Sequence, residues 1–148
     1  MKNLYLLVLA LLMSSIASAQ KIYGINFSDD TMYYNAAIAV WEDGTGVMRV
    51  SYTSDCKTYL VEQTISYEVT ADGTRIIGSN PIDPVTNKPK EQYTADSFEI
   101  TKSPKGELTC KHIDSNSSKP CSFFSVLGYR NRQAFLGQFR MELEPEEK

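Results

Sequence analysis

The sequence predicts an all-β protein: an antiparallel meander of about eight strands, either closed into a small lipocalin-like barrel or folded into a sandwich. Three observations support this. Beyond residue 19 the chain is poor in Leu and rich in Ile, Val, Thr and Tyr, which favour strands over helices. Short runs of alternating apolar and polar residues recur along the chain. Turn-forming residues separate these runs at short intervals, as in a meander.

The first 19 residues have the pattern of a secretory signal peptide. Lys2 precedes an apolar stretch, Leu4–Met13, and small residues follow as far as Ala19. The apolar stretch is shorter than the ~20 residues that a membrane-spanning helix needs. We therefore expect cleavage after Ala19, a secreted or periplasmic bacterial protein, and no membrane span after cleavage. The mature chain, residues 20–148, is expected to form a single β domain.

The charge of the chain argues against nucleic acid as a partner. The formal net charge is −3, and loss of Lys2 with the signal segment makes the mature chain more acidic. Proteins that bind DNA, RNA or anionic membranes through electrostatics carry basic patches instead. We expect no nucleic-acid partner.

The strands are expected in sequence order, separated by turns. Glycines in Glu42–Gly46 and in Ala71–Gly73 allow the positive φ angles of tight hairpins. Thr58–Thr70 carries the clearest alternation, with Tyr59 and Tyr67 on the apolar face. The expected strand segments are Ile22–Phe27, Tyr33–Trp41, Val47–Thr53, Thr58–Thr70, Thr74–Ser79, Ser97–Thr101, Glu107–Ile113 and the apolar Phe123–Leu127.

Two segments fit the meander less well. Asn80–Tyr93 contains three prolines, and its apolar residues have no regular spacing. It is therefore expected to be a long loop, and loops of this length are often functional. Phe135–Leu143 fits either a helix, through apolar residues four apart, or a strand, through apolar residues two apart. Gly137 and the all-β context favour the strand.

Three cysteines follow the signal segment: Cys56, Cys110 and Cys121. An oxidising compartment permits one disulfide and three alternative pairings. Cys110 and Cys121 flank the polar turn Asp114–Pro120, so they are the candidate pair, and Cys56 would then be free, buried or bonded to another molecule.

The residues that catalysis and metal binding require are scarce. His112 is the single histidine and lies two residues from Cys110, but no orienting partner for a Cys–His pair is evident. The cysteines and histidine match no zinc spacing. Asp43–Gly46 is a hairpin turn, because no helix follows it to hold a phosphate. We expect a non-catalytic protein without metal or cofactor.

Polar and aromatic residues point to binding instead. Gln63 interrupts an apolar strand face, where a buried amide needs partners. Tyrosines offer rigid contact area with a polar tip. The candidate ligand-binding residues are Tyr59, Gln63, Tyr67, Trp41 and Tyr93.

The leading interpretation is a binding or recognition module for a protein or a small apolar ligand, using Asn80–Tyr93 and the hairpin tips. An alternative is a lipocalin-like carrier with a small apolar molecule inside the barrel, in a cavity lined by Tyr59, Val61, Ile65 and Tyr67. A third class is a hydrolase with unusual carboxylates, and its candidates are Asp29, Asp30 and Glu62.

Three segments together resemble a known type of domain: Trp41–Val50, Leu60–Thr64 and Gly78–Pro81. They are similar to the β-rich accessory domain that follows caspase-like peptidase domains in some secreted bacterial proteins. The resemblance covers residues 35–113, and its motifs are structural. The peptidase part is absent from this sequence, so the resemblance implies a stand-alone accessory or recognition domain with no catalytic residues to assign.

Overall fold

A computed structural model describes residues 20–114 and 117–143 of the chain. The proposed signal segment, residues 1–19, lies outside the described residues. Within the described part, eight strands and one helix follow one another in the order β1 (Lys21–Ser28), β2 (Tyr33–Val40), β3 (Thr45–Ser54), β4 (Lys57–Thr70), β5 (Gly73–Ile82), β6 (Ser97–Lys102), β7 (Leu108–Asp114), β8 (Ser117–Ser125) and α1 (Tyr129–Gln138).

The strands form a closed antiparallel barrel in sequence order, which confirms the all-β prediction and decides between barrel and sandwich. Each strand pairs with the next, and β8 returns to pair with β1 over Tyr23–Asn26. Gly24 is the register partner of Phe124 in this last pairing. The Phe124 ring occupies the space that a Cβ at position 24 would need, so glycine permits the close approach. Each of the eight described strands therefore has a neighbour on both sides, and the barrel has no open sheet edge.

The inward side chains of all eight strands pack into one cluster. An eight-stranded barrel is just wide enough for its own side chains to fill. Phe98, Ile25, Ile38 and Met48 are the largest apolar members with essentially no exposed surface. The cluster comprises Ile25, Phe27, Ala36, Ile38, Val40, Met48, Val50, Ile65, Ile76, Phe98, Ile100 and Cys110, with Tyr23, Tyr34, Tyr67, Cys121 and Phe123 packed against it.

A disulfide joins β7 to β8 beside this core. Cys110 and Cys121 are register partners, with Cα atoms 5.1 Å apart, and their sulfurs are bonded. Cys56 is free and exposed in the β3–β4 turn, where Asp55 and Cys56 both have positive φ.

The two ends of the barrel differ in what they carry. We call the end with the β1–β2, β3–β4, β5–β6 and β7–β8 connections the upper end, and the opposite end the lower end. The connection between β5 and β6, residues 83–96, is by far the longest. It begins later than the sequence predicted, because β5 continues to Ile82, which bridges to Pro89. A folded loop therefore lies at the upper end.

The expectation of a C-terminal strand is wrong: residues 129–138 form α1. A further strand would need an edge to pair with, and the pairing of β1 with β8 leaves none. The helix instead places Leu136 and Phe139 against the outer face of β1 and β2, at Ile22, Ala37 and Ala39. Gly137, which favoured the strand, has open space around its Cβ position, so its cost to the helix is only about 1 kcal/mol.

Arg49 holds the end of this helix on the barrel. Its guanidinium donates to Glu62 Oε2 at 2.7 Å and to the carbonyl oxygens of Phe139 and Arg140 at 3.2 and 2.6 Å. A cation is favourable at the C-terminus of a helix, where carbonyl groups lack partners. Glu62, one of the candidate hydrolase carboxylates, is thus part of a structural ion pair on the outside of the barrel.

The packing of α1 is testable with two leucines in and next to it. Leu136 is fully buried, so Leu136→Ala should lower the free energy of unfolding by about 3 kcal/mol, through lost burial and the cavity that remains. Leu127 is 76% exposed, and Leu127→Ala should change it by less than about 0.5 kcal/mol. Urea unfolding of both variants measures the difference, and equal effects would contradict the docked position of α1.

Candidate functional site

A pocket of about 270 Å³ lies at the upper end of the barrel. We call it the mouth pocket. Its lining comes from β1 and the β1–β2 turn, from β2, from the end of the long loop, and from the end of β7. The lining residues are Phe27, Asp29, Tyr34, Gln92, Tyr93, Thr94, Ala95, Asp96, His112, Ile113 and Asp114.

Asp96 is the centre of the hydrogen bonds beneath this pocket. It is 5% exposed, and its carboxylate accepts from Gln63 Nε2 at 2.7 Å and from the Tyr93 hydroxyl at 2.8 Å, both at Oδ2. His112 Nε2 lies 3.0 Å from Oδ1. A buried carboxylate is stable only when such partners replace its water, and Asp96 has three side chains in that role.

The backbone around Gln63 is shaped to admit Asp96. The register between β4 and β5 shifts between Glu62 and Thr64, so Gln63 lies at an irregularity in the sheet. Its side-chain oxygen accepts from Asp96 N at 2.8 Å, and Gly78 N donates to Asp96 O at 2.8 Å. A Cβ at Gly78 would lie 2.5 Å from Gln63 Oε1, so glycine is required for this close approach.

A row of aromatic rings extends across the upper end from the mouth pocket. Phe27 stacks on Tyr34 with ring centroids 4.9 Å apart, and Tyr34 lies 5.5 Å from Tyr52. Tyr52 in turn stacks on Tyr59 at 5.3 Å and on Tyr93 at 6.2 Å. We call these five residues the aromatic row. They come from five different parts of the chain, and the barrel brings them together.

Two tyrosines of the row donate their hydroxyl hydrogens to carboxylates. Tyr34 donates to Asp29 Oδ2 at 2.7 Å, as Tyr93 does to Asp96. Burial raises the pKa of Tyr93 far above its ordinary value, and the neighbouring Asp96 raises it further. Burial and then the hydrogen bond to Asp29 raise the pKa of Tyr34 in the same way. Both rings therefore remain neutral phenols at physiological pH.

His112 and Asp96 form an imidazole–carboxylate pair, but the pair is held as part of the barrel wall. The His112 ring lies 4.6 Å from the Phe27 ring and 5.1 Å from the Phe98 ring, centroid to centroid. Among the described residues no hydroxyl or thiol is hydrogen-bonded to His112, and Cys110 is in the disulfide. The arrangement orients the imidazole without presenting a nucleophile to it.

The residues predicted to bind ligand are distributed over both ends of the barrel. Gln63 and Tyr93 meet in the Asp96 network, and Tyr59 lies in the adjoining aromatic row. Tyr67 stacks on Tyr23 near the lower end, at 5.8 Å. Trp41 follows β2 in the turn at the lower end, where its backbone N–H donates to the Thr45 carbonyl oxygen. The structure therefore groups three of the five and separates the other two from them.

Sequence reasoning did not single out Asp96 or Tyr34, which the fold places at the pocket. The signal that pointed toward Asp96 was Gln63, because an amide on an apolar strand face requires a polar partner. Nothing local marks Asp96 as that partner, since 33 residues separate the two. Of the two remaining candidate carboxylates, Asp29 lines the mouth pocket, and Asp30 pairs with Lys119 Nζ at 2.6 Å.

Comparisons with known proteins identify no relative: no protein-family model, no curated protein and no solved structure matches the chain. Within residues 20–114 and 117–143, no helix has the length and hydrophobicity to cross a membrane. The same residues contain no group of three or more His, Cys, Asp or Glu side chains placed to hold a metal ion.

The buried network can be tested by removing its amide. Gln63→Leu takes one donor from the Asp96 carboxylate and one acceptor from the Asp96 N–H, so it should lower the free energy of unfolding by about 2–3 kcal/mol. Gln138→Leu, an exposed matched control on α1, should leave it within about 0.5 kcal/mol. Thermal or urea unfolding measures both. A stable Gln63→Leu variant would show that Asp96 does not depend on this contact.

Acid titration tests the turn that holds Asp29. Burial raises the pKa of Asp29, but hydrogen bonds from the Tyr34 hydroxyl, Thr31 and Met32 outweigh it and lower the pKa from 3.8 to about 2. Because the folded pKa is the lower one, the stability that Asp29 contributes is present above pH 3.8 and is lost as pH falls toward 2.

We therefore expect the Asp29 carboxyl carbon to titrate by NMR with a midpoint near pH 2. The stability difference between the unaltered chain and Asp29→Asn should be constant above that range and shrink below it. A midpoint at or above 3.8 would contradict the hydrogen bonds that the turn shows.

Proposed function

We propose that this protein is a secreted or periplasmic, non-catalytic binding module, and that it binds a small ligand in the mouth pocket. The observation that carries the proposal is the convergence of Tyr34 from β2, Tyr93 and Asp96 from the long loop, and His112 from β7 on one concave site above a filled barrel. Pockets that combine aromatic walls with a few fixed polar groups are the usual form of ligand sites.

The rigidity of the site supports binding. The Asp96 carboxylate has three side-chain partners, and the loop that supplies Tyr93 is tied down by the bridge between Ile82 and Pro89. Asp83 further orders the loop by accepting from the N–H groups of Val85 and Thr86, at 2.8 and 3.1 Å. A pre-organised site loses little conformational entropy when a ligand binds.

The geometry favours the mouth pocket over the carrier alternative. Of the four side chains expected to line a carrier cavity, Val61, Ile65 and Tyr67 are in or against the barrel interior, and Tyr59 lies in the aromatic row. However, Val61 and Ile65 have 0% and 2% exposure, and Ile65 and Tyr67 belong to or pack against the central cluster. An apolar ligand inside the barrel would have to displace that cluster, whereas the mouth pocket is already open.

The resemblance of residues 35–113 to an accessory domain supports a non-catalytic role, and His112 is engaged with Asp96 in the barrel wall. The signal pattern of residues 1–19 supports export. In this proposal the folded loop and the aromatic row form the recognition surface, and the disulfide-linked barrel supports them.

The proposal is tested with three small probes that share a benzyl or phenyl ring and differ in charge: benzylamine, benzyl alcohol and benzoate. At least one should shift the backbone amide NMR signals of Thr94, Asp96 and His112 in the ¹⁵N-labelled protein. Tyr93→Leu should weaken that binding by about tenfold, through the lost ring contact. Tyr33→Leu is the matched control, because Tyr33 is 84% exposed and lies outside the pocket.

Two results would contradict the proposal. If none of the three probes shifts the pocket amides, or if Tyr33→Leu weakens binding as much as Tyr93→Leu does, the mouth pocket is not a ligand site. If the shifts instead map to Val61, Ile65 and Tyr67, the carrier alternative replaces it.

A further inference from the structure

The mouth pocket has a charge and a lining that select one class of ligand. Resting on the proposed function, we infer that it binds a small organic cation, an amine or a quaternary ammonium group. Aromatic rings and carboxylates are both present in its wall, and together they favour such a cation over a neutral or anionic molecule of the same shape.

The aromatic part of the wall is formed by Phe27, Tyr34 and Tyr93. The face of an aromatic ring carries partial negative charge and attracts a cation within about 6 Å of its centroid. Tyr34 and Tyr93 donate their hydroxyl hydrogens to carboxylates, which polarises each phenol further. Because both hydroxyl hydrogens are engaged, these phenols have no free donor for a ligand, and their rings contribute aromatic surface to the pocket wall.

The charged part of the wall is mostly acidic, with His112, which is paired with Asp96, as the one basic side chain among the lining residues. Three of the lining residues are the aspartates Asp29, Asp96 and Asp114, and none is Lys or Arg. Burial is the main cause that raises the pKa of Tyr34, and the hydrogen bond to Asp29 and the negative charges of Asp29 and Asp96 raise it further. The potential that disfavours a phenolate there favours a bound cation.

Two lysines near the upper end make contacts outside the pocket lining. Lys119 is paired with Asp30, outside the pocket lining. Lys90, on the long loop, places its Nζ 5.5 Å from the centroid of the Tyr59 ring. The ammonium group of Lys90 therefore lies over one ring of the aromatic row. This contact is a cation–π geometry at Tyr59, a member of the aromatic row that does not line the mouth pocket.

Size and coordination restrict the class further. At about 270 Å³ the pocket is slightly smaller than the usual range for drug-sized ligands, so it suits a compact molecule. Asp29 and Asp96 already accept hydrogen bonds at both of their oxygens. Asp29 Oδ2 and Asp96 Oδ1 each accept a single hydrogen bond, so most but not all of the lone pairs that a bare metal ion would need are occupied. The charge of both carboxylates still acts on an ammonium at a distance.

The decisive experiment compares two molecules of one shape. Choline and 3,3-dimethylbutan-1-ol differ in that a carbon replaces the quaternary nitrogen, so only the charge is lost. NMR titration of the labelled protein should give choline a Kd about tenfold lower than that of the alcohol, with shifts at Thr94, Asp96 and His112. Asp29→Asn and Tyr93→Leu should each weaken choline binding several-fold, and Tyr33→Leu should leave it unchanged.

The other outcomes contradict either the cation inference alone or the proposed function as well. If the alcohol binds at the pocket as tightly as choline, or benzoate binds more tightly than benzylamine, the cation inference is wrong and the pocket remains a ligand site. If neither choline nor the alcohol binds and the benzyl series also fails, the proposed function is wrong as well. Binding of choline that is unaffected by both pocket variants would place the cation elsewhere and overturn the inference.

Discussion

The pairing of β1 with β8 is the constraint on which the rest of the molecule depends. Four register pairs, Tyr23–Asn26 with Ser122–Ser125, turn an open meander into a barrel. Closure directs alternate side chains of every strand to a common centre, where they fill the space available to eight strands. It also removes both sheet edges, so the chain after β8 has no strand to join and becomes a helix on the outer wall. Because the interior is filled, a ligand site can lie only at the upper end or the lower end, which we also call the upper and lower rims. The mouth pocket lies at the upper rim.

Asp96 couples that rim to the core. A buried carboxylate is costly unless its partners are in place, and here they come from β4, from β7 and from the long loop. The same contacts that satisfy the charge also fix Tyr93 and His112 in the wall of the pocket. Fold stability and site geometry are therefore not separable at this point: a change that loosens Asp96 loosens the site. In our proposal, the carboxylates at this point contribute to a preference for cations.

Much of the architecture was predictable because it depends on local patterns. Alternation in Thr58–Thr70 placed Val61, Gln63 and Ile65 on one buried face, and the structure has them buried. The glycine-containing turns ended the strands near where they end. The C-terminal segment was not predictable in this way, since its apolar spacing fits both periods. What decided it was the absence of a free edge, which is a property of the whole sheet.

The site was predictable only where a single residue broke a pattern. Gln63 did so, and its burial implied a polar partner, but the identity of that partner depends on a loop that returns 33 residues later. Tyr93 was chosen for its residue type and lies in the wall, whereas Tyr67 and Trp41 were chosen on the same grounds and lie toward the lower end. Residue type alone does not distinguish the two rims.

The sequence by itself determined that the chain is all-β, with antiparallel strands in sequence order, because strand propensity, alternation and turn chemistry are local properties. Only the tertiary structure decided that the sheet closes, that the last segment is a helix, and that Asp29, Tyr34, Asp96 and His112 share one pocket. Those outcomes depend on register and on contacts between distant segments, and closure of the ring sets both.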